Sequence, residues 1–304
     1  MSRFLRLMQQ YPKAIMRYCE ALQWDYDKFK VSISDEGISH PDLYLEDPNL
    51  GIIDKLSQFL EPTNQSSVFI IWDDVGMGKS SIRDFVSKSL DEIGNYHVVL
   101  ITDPRITSFQ LLREIALQIE AEAKWRDRAK VKRALSERLA EIVKKGVNLV
   151  IWVDEAEKVT KDIISELRAL SDVKAESGLK VCKIVLSGTP RLMQKIDEYI
   201  EHDPEDALAF DDRASLNTFR LNKWTSRDIF NYWKLVSQFC GEMNPFTVDA
   251  ADTVHRISEG KPRTISQITK LVINLKSMKH TVDDSALEIS SEDILASLKG
   301  HLEE

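Results

Sequence analysis

The chain has 304 residues, 43% of them hydrophobic and 30% charged, enough apolar material for one large or two ordinary domains and incompatible with a disordered chain or a disulfide-stapled miniprotein. No apolar run approaches the roughly 20 residues that span a bilayer, and residues 1–22 lack the continuous apolar centre of a secretory signal, so a cytoplasmic protein without membrane insertion is expected. With 41 basic and 49 acidic side chains the net charge is -8, which disfavours a surface that grips nucleic acid everywhere and leaves room for a local basic site.

Three cysteines, Cys19, Cys182 and Cys240, are odd in number and far apart, as reduced thiols would be. From the amino terminus, Phe4, Leu7, Met8, Tyr11, Ile15, Tyr18, Cys19 and Leu22 recur at helical spacing around Pro12, which predicts one or two short amphipathic helices. The polar stretch 32–49 reads as an extended connector, and 50–60 as another short helix. Four apolar runs rich in Val and Ile then follow at 68–72, 97–102, 148–153 and 183–187, separated by helical patterns. That alternation predicts an α/β region with a parallel sheet covered on both faces. Thr107 stands three residues before Gln110 at capping-box spacing, and Thr225 repeats the pattern with Asp228. The second box opens a helix expected to run through Phe239 and to stop at Gly241, followed by helices at 248–258, 264–277 and 292–298. The resulting division is 1–50 as an N-terminal helical extension and connector, 51–222 as the α/β core and 223–304 as a small helical lid.

Directly after the first strand comes Asp73-Asp74-Val75-Gly76-Met77-Gly78-Lys79-Ser80. A phosphate-binding P-loop reads Gly, four residues, then Gly-Lys-Ser/Thr between a strand and a helix, and only its first glycine is missing here, replaced by Asp73. Such a loop needs backbone N–H groups turned inward around the phosphates, with Gly76 and Gly78 permitting close approach. Val75, Gly76, Met77, Gly78, Lys79, Ser80 and Ser81 are therefore the candidate nucleotide-binding residues. Lys79 would reach the β- and γ-phosphates of ATP, Ser80 would ligate Mg2+, and the helix that starts there would offer its positive end. Asp73 is expected to face solvent, away from the phosphates.

The strand at 148–153 runs into Asp154-Glu155. Asp154 can support the Mg2+ shell, and Glu155 can orient and polarise the attacking water. A further strand ends in Ser187-Gly188-Thr189-Pro190, where a hydroxyl could meet the γ-phosphate. Thr189 is the first candidate and Ser187 the alternative, with ordinary turn chemistry a competing explanation.

Together with Thr102-Asp103-Pro104 and Gly260-Lys261-Pro262-Arg263, these segments resemble the AAA+ ATPases, in the group of the ExeA-type secretion ATPases, the TnsC and TniB transposition regulators and the Orc/Cdc6 initiators. The likeness covers about residues 45–280. It implies an AAA+ P-loop NTPase core with a parallel sheet flanked by helices, a small C-terminal α-helical lid, and ATP and Mg2+ as cofactors. It also implies that Arg263 senses bound nucleotide and that Arg213, with Arg220 as the alternative, projects into the ATP site of a neighbouring subunit. A finger acting in trans requires a homo-oligomer, a ring or a helical filament.

Residues 124–145 carry nine basic and three acidic side chains, with Val131, Leu135, Leu139, Ile142 and Val143 forming an apolar stripe. Lys124, Arg126, Arg128, Lys130, Lys132 and Arg133 are thus candidates for tracking the phosphates of double-stranded DNA, a solvated face or a contact with the acidic run 198–212 being the alternatives. On the resemblance, the expected protein is a DNA-assembling ATPase that recruits a partner such as a transposase or targeting factor. The amino-terminal helices and the acidic tail Glu303-Glu304 are candidate docking surfaces for that partner. An ExeA-like secretion ATPase and a nucleotide-gated scaffold switch are the competing expectations.

Overall fold

Strands of Val and Ile with no polar interruption must be covered on both faces, and the core forms around such strands. The computed structural model describes residues 3–34, 37–38, 40–121, 127–174, 178, 180, 182–202, 217–283 and 287–302. The chain divides into two units, one of residues 1–48, 76–84 and 222–304 and the other of residues 49–75 and 85–221.

The second, the sheet unit, holds five parallel strands among the described residues: β1 (Val68–Trp72), β2 (Tyr96–Ile101), β3 (Asn148–Val153), β4 (Cys182–Gly188) and β5 (Thr218–Arg220). Their order is β2-β3-β4-β1-β5, which places β1 between β4 and β5. Four strands match the predicted runs to within a residue at either end. The fifth, three residues long and only half-buried, lacks the apolar run that marks the others. Helices α3 (Leu50–Leu60), α5 (Ser108–Gln118), α6 (Arg128–Lys144), α7 (Lys161–Ser171) and α8 (Pro190–His202) belong to this unit. The α5 start is the predicted capping box, with Thr107 and Gln110 each bonding the other's backbone. Val131, Leu135, Leu139 and Ile142 of α6 are buried beside Val99, Ile151 and Ile184 of the sheet core.

Lys183 is the exception in β4, 2% exposed among apolar neighbours. Its ammonium donates to the carbonyls of Asn64 at 2.5 Å and Ser66 at 2.7 Å and lies 5.1 Å from the centre of the Phe59 ring. Burial, reinforced by the nearby Lys180, lowers its pKa to about 8.

The other unit is helical: α1 (Arg3–Ala21), α2 (Tyr26–Ser32), α9 (Ser226–Cys240), α10 (Val248–Ser258), α11 (Pro262–Asp283) and α12 (Ser291–Leu302). Helix α4 (Lys79–Ile93) begins in this unit and continues in the sheet unit. Helix α1 is one continuous helix through Pro12. Its carboxyl-terminal half buries Ala14, Tyr18 and Cys19, and Tyr18 and Cys19, with Leu22 just after the helix, share one core with Trp233 and Val272. That face is taken up by the fold, while Tyr11 and Met16 of the same helix are exposed; Glu303 and Glu304 lie outside the described residues. The connector is also corrected: Ile33, Ile38, Leu43 and Tyr44 are buried, and 3-10 turns form at Pro41–Leu43 and Asp47–Asn49. Polar and proline residues around them concealed these apolar anchors in the sequence. Two polar groups of this core are matched: the Tyr18 hydroxyl donates to the Leu287 carbonyl at 2.6 Å and the Trp233 indole N–H to the Thr269 hydroxyl at 2.9 Å. All three cysteines are buried and free.

Candidate nucleotide site

After β1 the chain turns through Asp73, Asp74 and Val75, the last 65% exposed at the loop's tip. Gly76 and Gly78 then take φ of +86° and +96°, a region that L side chains rarely occupy. Met77 between them is buried, and α4 begins at Lys79. Lys79 and Ser80 thus occupy the first turn of a 15-residue helix, where unsatisfied N–H groups and the helix dipole favour anions. The Ser81 hydroxyl donates to the Ile38 carbonyl at 2.7 Å, so only its backbone remains a candidate for phosphate contact.

Arg263 lies in the same helical unit, at the second position of α11, just behind Pro262, whose fixed φ suits a helix start. Its N–H donates to the Gly76 carbonyl at 3.1 Å, and a methyl group at Gly76 would lie 3.0 Å from the Arg263 Cβ. The residue that the resemblance implied to be a nucleotide sensor is therefore bonded to the loop itself.

In the sheet unit, β3 delivers Asp154, which is 5% exposed. Its Oδ1 accepts from the Ser187 hydroxyl at 2.7 Å and from the Glu155 N–H at 3.0 Å. The Ser187 oxygen in turn accepts from the buried Trp152 indole N–H at 3.0 Å. This chain of bonds orients the carboxylate and assigns Ser187 to that task. Glu155 follows with φ of 49°, a left-handed conformation that a glutamate adopts only at a cost of about 1–3 kcal/mol. Its carboxylate pairs with Lys158 across a single 3-10 turn. Arg105 is paired with Asp103 through its Nε and Nη2, which favours its charged form, with a smaller contribution from the Glu155 carboxylate. That pairing also holds the Asp103 carboxyl well below its usual range, at about 2.

At the end of β4, the Thr189 hydroxyl is buried and, among the described residues, has no hydrogen-bond partner, while its N–H donates to Glu157 Oε2 at 3.1 Å. A buried hydroxyl left unmatched is a place for a ligand atom. Glu157 was missed by the sequence reading, although its place two residues beyond Glu155 offered a signal.

Asp73 does not face solvent. It is 3% exposed; its N–H donates to the Gly188 carbonyl at 3.2 Å, and its Oδ1 accepts from the Asp74 N–H at 2.7 Å. The same oxygen lies 3.4 Å from both Nε and Nη2 of Arg220. Pairing of Trp72 with Arg220 in the β1–β5 register causes this: it sets the arginine beside the strand end, and its guanidinium also lies 5.3 Å from the Trp72 ring centre. Arg220 thus contacts Asp73 within its own chain, with its side chain 55% exposed. Arg213 lies outside the described residues.

Of the DNA candidates, Lys124 and Arg126 also lie outside the described residues. Arg128 and Lys132 both reach Glu166 Oε1 at 2.7 Å, and Arg133 pairs with Glu137 at 2.9 Å. Lys130, Lys144 and Lys145 are exposed. The basic surface of α6 is thus partly neutralised by α7 and by its own helix.

A protein-family profile described as "AAA domain" matches residues 63–196. This segment is similar to AAA domains. The matched segment contains the loop, Asp154, Glu155 and Thr189. General secretion pathway protein A of Aeromonas hydrophila is 27% identical over 124 residues, 40% of this chain and 21% of that protein. Among solved structures, the Aeropyrum pernix ORC2 protein in ADPNP-ADP complexes aligns with a TM-score of 0.60 at 13% identity, covering 83% of this chain and 66% of that one. The Aeropyrum pernix ORC1 protein in complex with DNA aligns with a TM-score of 0.57 at 11% identity, covering 84% and 65%. The chain thus spans about a fifth of the curated relative and just under two thirds of these two structures. The chain shares the AAA+ P-loop fold of these structures, a parallel sheet flanked by helices, and has a helical carboxyl-terminal region. Among the described residues no helix is long and apolar enough to cross a membrane.

Proposed function

We propose that this protein binds and hydrolyses ATP with Mg2+, and that it assembles on double-stranded DNA as a ring or filament that recruits or activates a partner enzyme. The observation that carries the ATP site is the loop with two positive-φ glycines opening onto the first turn of α4. The residues present suit the cofactors: an ammonium and a hydroxyl at a helix start, an oriented buried carboxylate and an orphaned hydroxyl. Lys79 would hold the phosphates, Ser80 and Asp154 would supply oxygen ligands of the kind a hard cation needs, and Thr189 would donate to the reacting end. Bound Mg2+ would neutralise charge that develops on the transferring phosphoryl group. Glu155 draws the proton from the attacking water once it has left Lys158. Arg263 registers nucleotide through the Gly76 bond, and Arg213 completes a neighbour's site.

Support for DNA comes from the exposed lysines of α6 and from the fold shared with a protein solved on DNA. Transposition is the proposed setting. The local identity to a general secretion pathway protein supports a second reading, a secretion ATPase acting with a membrane-bound partner. Steady-state hydrolysis and particle imaging, each with and without duplex DNA at low salt, separate the two. DNA-stimulated turnover and ATP-dependent assemblies on DNA are expected; neither appearing would overturn the DNA reading. Lys79→Ala is expected to lose ATP binding by at least about a hundredfold, and near-normal affinity would overturn the ATP site itself.

A further inference from the structure

The first position of the loop carries a buried acid where the phosphate-binding pattern has glycine, and an anion at the root of a polyanion site opposes binding. The surroundings of Asp73 answer that problem. Its backbone is tied to Gly188 on one side, the Leu221 N–H donates to the Trp72 carbonyl on the other, and Arg220 brings its guanidinium to the carboxylate while lying over the Trp72 ring. A planar, permanently charged group suits this double contact with an oxygen and an aromatic face.

We infer that Asp73 and Arg220 form a charge-matched positioning pair, in which Arg220 offsets the acid at the root of the P-loop and locks β5 to the end of β1, so that the loop leaves the sheet in an ATP-competent state. Arg220 is then a positioning residue of its own subunit's site and not a finger for a neighbour. The inference rests on the ATP reading above. It requires the two substitutions to be coupled: withdrawing the cation harms binding only while the carboxylate is present.

ATP affinity measured by calorimetry on the full chain tests this at low and high salt. Arg220→Ala is expected to weaken ATP about tenfold at low salt, a deficit that shrinks at high salt because its origin is charge. Arg220→Lys keeps most of the affinity. Asp73→Asn alone binds ATP more tightly, and Asp73→Asn combined with Arg220→Ala returns to within about threefold of the unaltered chain, as coupling through a shared contact requires. Wild-type affinity in Arg220→Ala, weaker binding in Asp73→Asn, or a double variant no better than Arg220→Ala would each overturn the pair. Should Arg220→Ala not fold, Asp73→Asn and the double variant decide the matter alone. If the unaltered chain binds no ATP, and Lys79→Ala is indistinguishable from it, the ATP reading falls and takes this inference with it.

Discussion

The Arg263 backbone N–H donates to the Gly76 carbonyl at 3.1 Å, tying the start of α11 to the middle of the P-loop. Two constraints converge on that glycine, the positive φ and the 3.0 Å approach of the Arg263 Cβ to any added methyl. Gly76→Ala is therefore expected to distort the loop at a cost of about 1–3 kcal/mol and to lower ATP affinity at least tenfold. Arg263→Gly in the same background removes the close side chain and leaves the φ strain, so the lost stability should return in part. Calorimetric titration with ATP checks the single variant and thermal unfolding the double; full recovery of stability would assign the whole destabilisation to the contact.

Ser187 joins Trp152 to Asp154 through one hydroxyl. Ser187→Ala takes the acceptor from a buried indole N–H and a donor from a buried carboxylate. A loss of about 2 kcal/mol follows, seen as a melting temperature lower by several degrees. Mg2+-dependent turnover should fall further than stability alone explains, because Asp154 loses its orientation.

Lys183 makes stability depend on pH in an unusual direction. Its folded pKa of about 8 lies below the ordinary 10.5, so between these values the unfolded chain holds more protons and stability rises with pH. Below about pH 8 the full penalty of burying the charge is present. Urea unfolding of the unaltered chain and of Lys183→Met at pH 7.5 and 9.5 should show the former gaining about 1 kcal/mol on the variant over that interval. Parallel profiles would count against burial as the cause.

Glu155 and Arg213 are proposed to act from different subunits on one site. Mixing Arg213→Ala chains with Glu155→Gln chains should restore part of the hydrolysis that each lacks alone, because some interfaces then hold both intact residues. A mixture as inactive as its components would return Arg213 to its own chain.

Local chemistry wrote the main elements plainly. Unbroken Val and Ile runs can be stable only in a sheet covered on both faces, and Thr107 with Gln110, or Thr225 with Asp228, announces a helix start within four residues. The loop glycines were equally legible, since their φ requirement is a property of the residues themselves. Spacing was silent wherever a side chain's meaning depends on a distant partner. Asp73 reads as a solvated acid until the β1–β5 register brings Arg220 to it across 147 positions of sequence. The basic run of α6 reads as a free cationic face until α7 offers Glu166 to Arg128 and Lys132. Thr189 and Ser187 stand close together in Ser-Gly-Thr, yet Ser187 lies within β4 with its hydroxyl on Asp154, whereas Thr189 follows the strand's end with its hydroxyl buried and, among the described residues, without a partner. The sequence by itself determined the elements and the loop, because backbone propensity and burial pattern act over a few residues. Which charges are neutralised, and which hydroxyl awaits a ligand, was decided only by the tertiary structure, because pairing energy depends on distance in space.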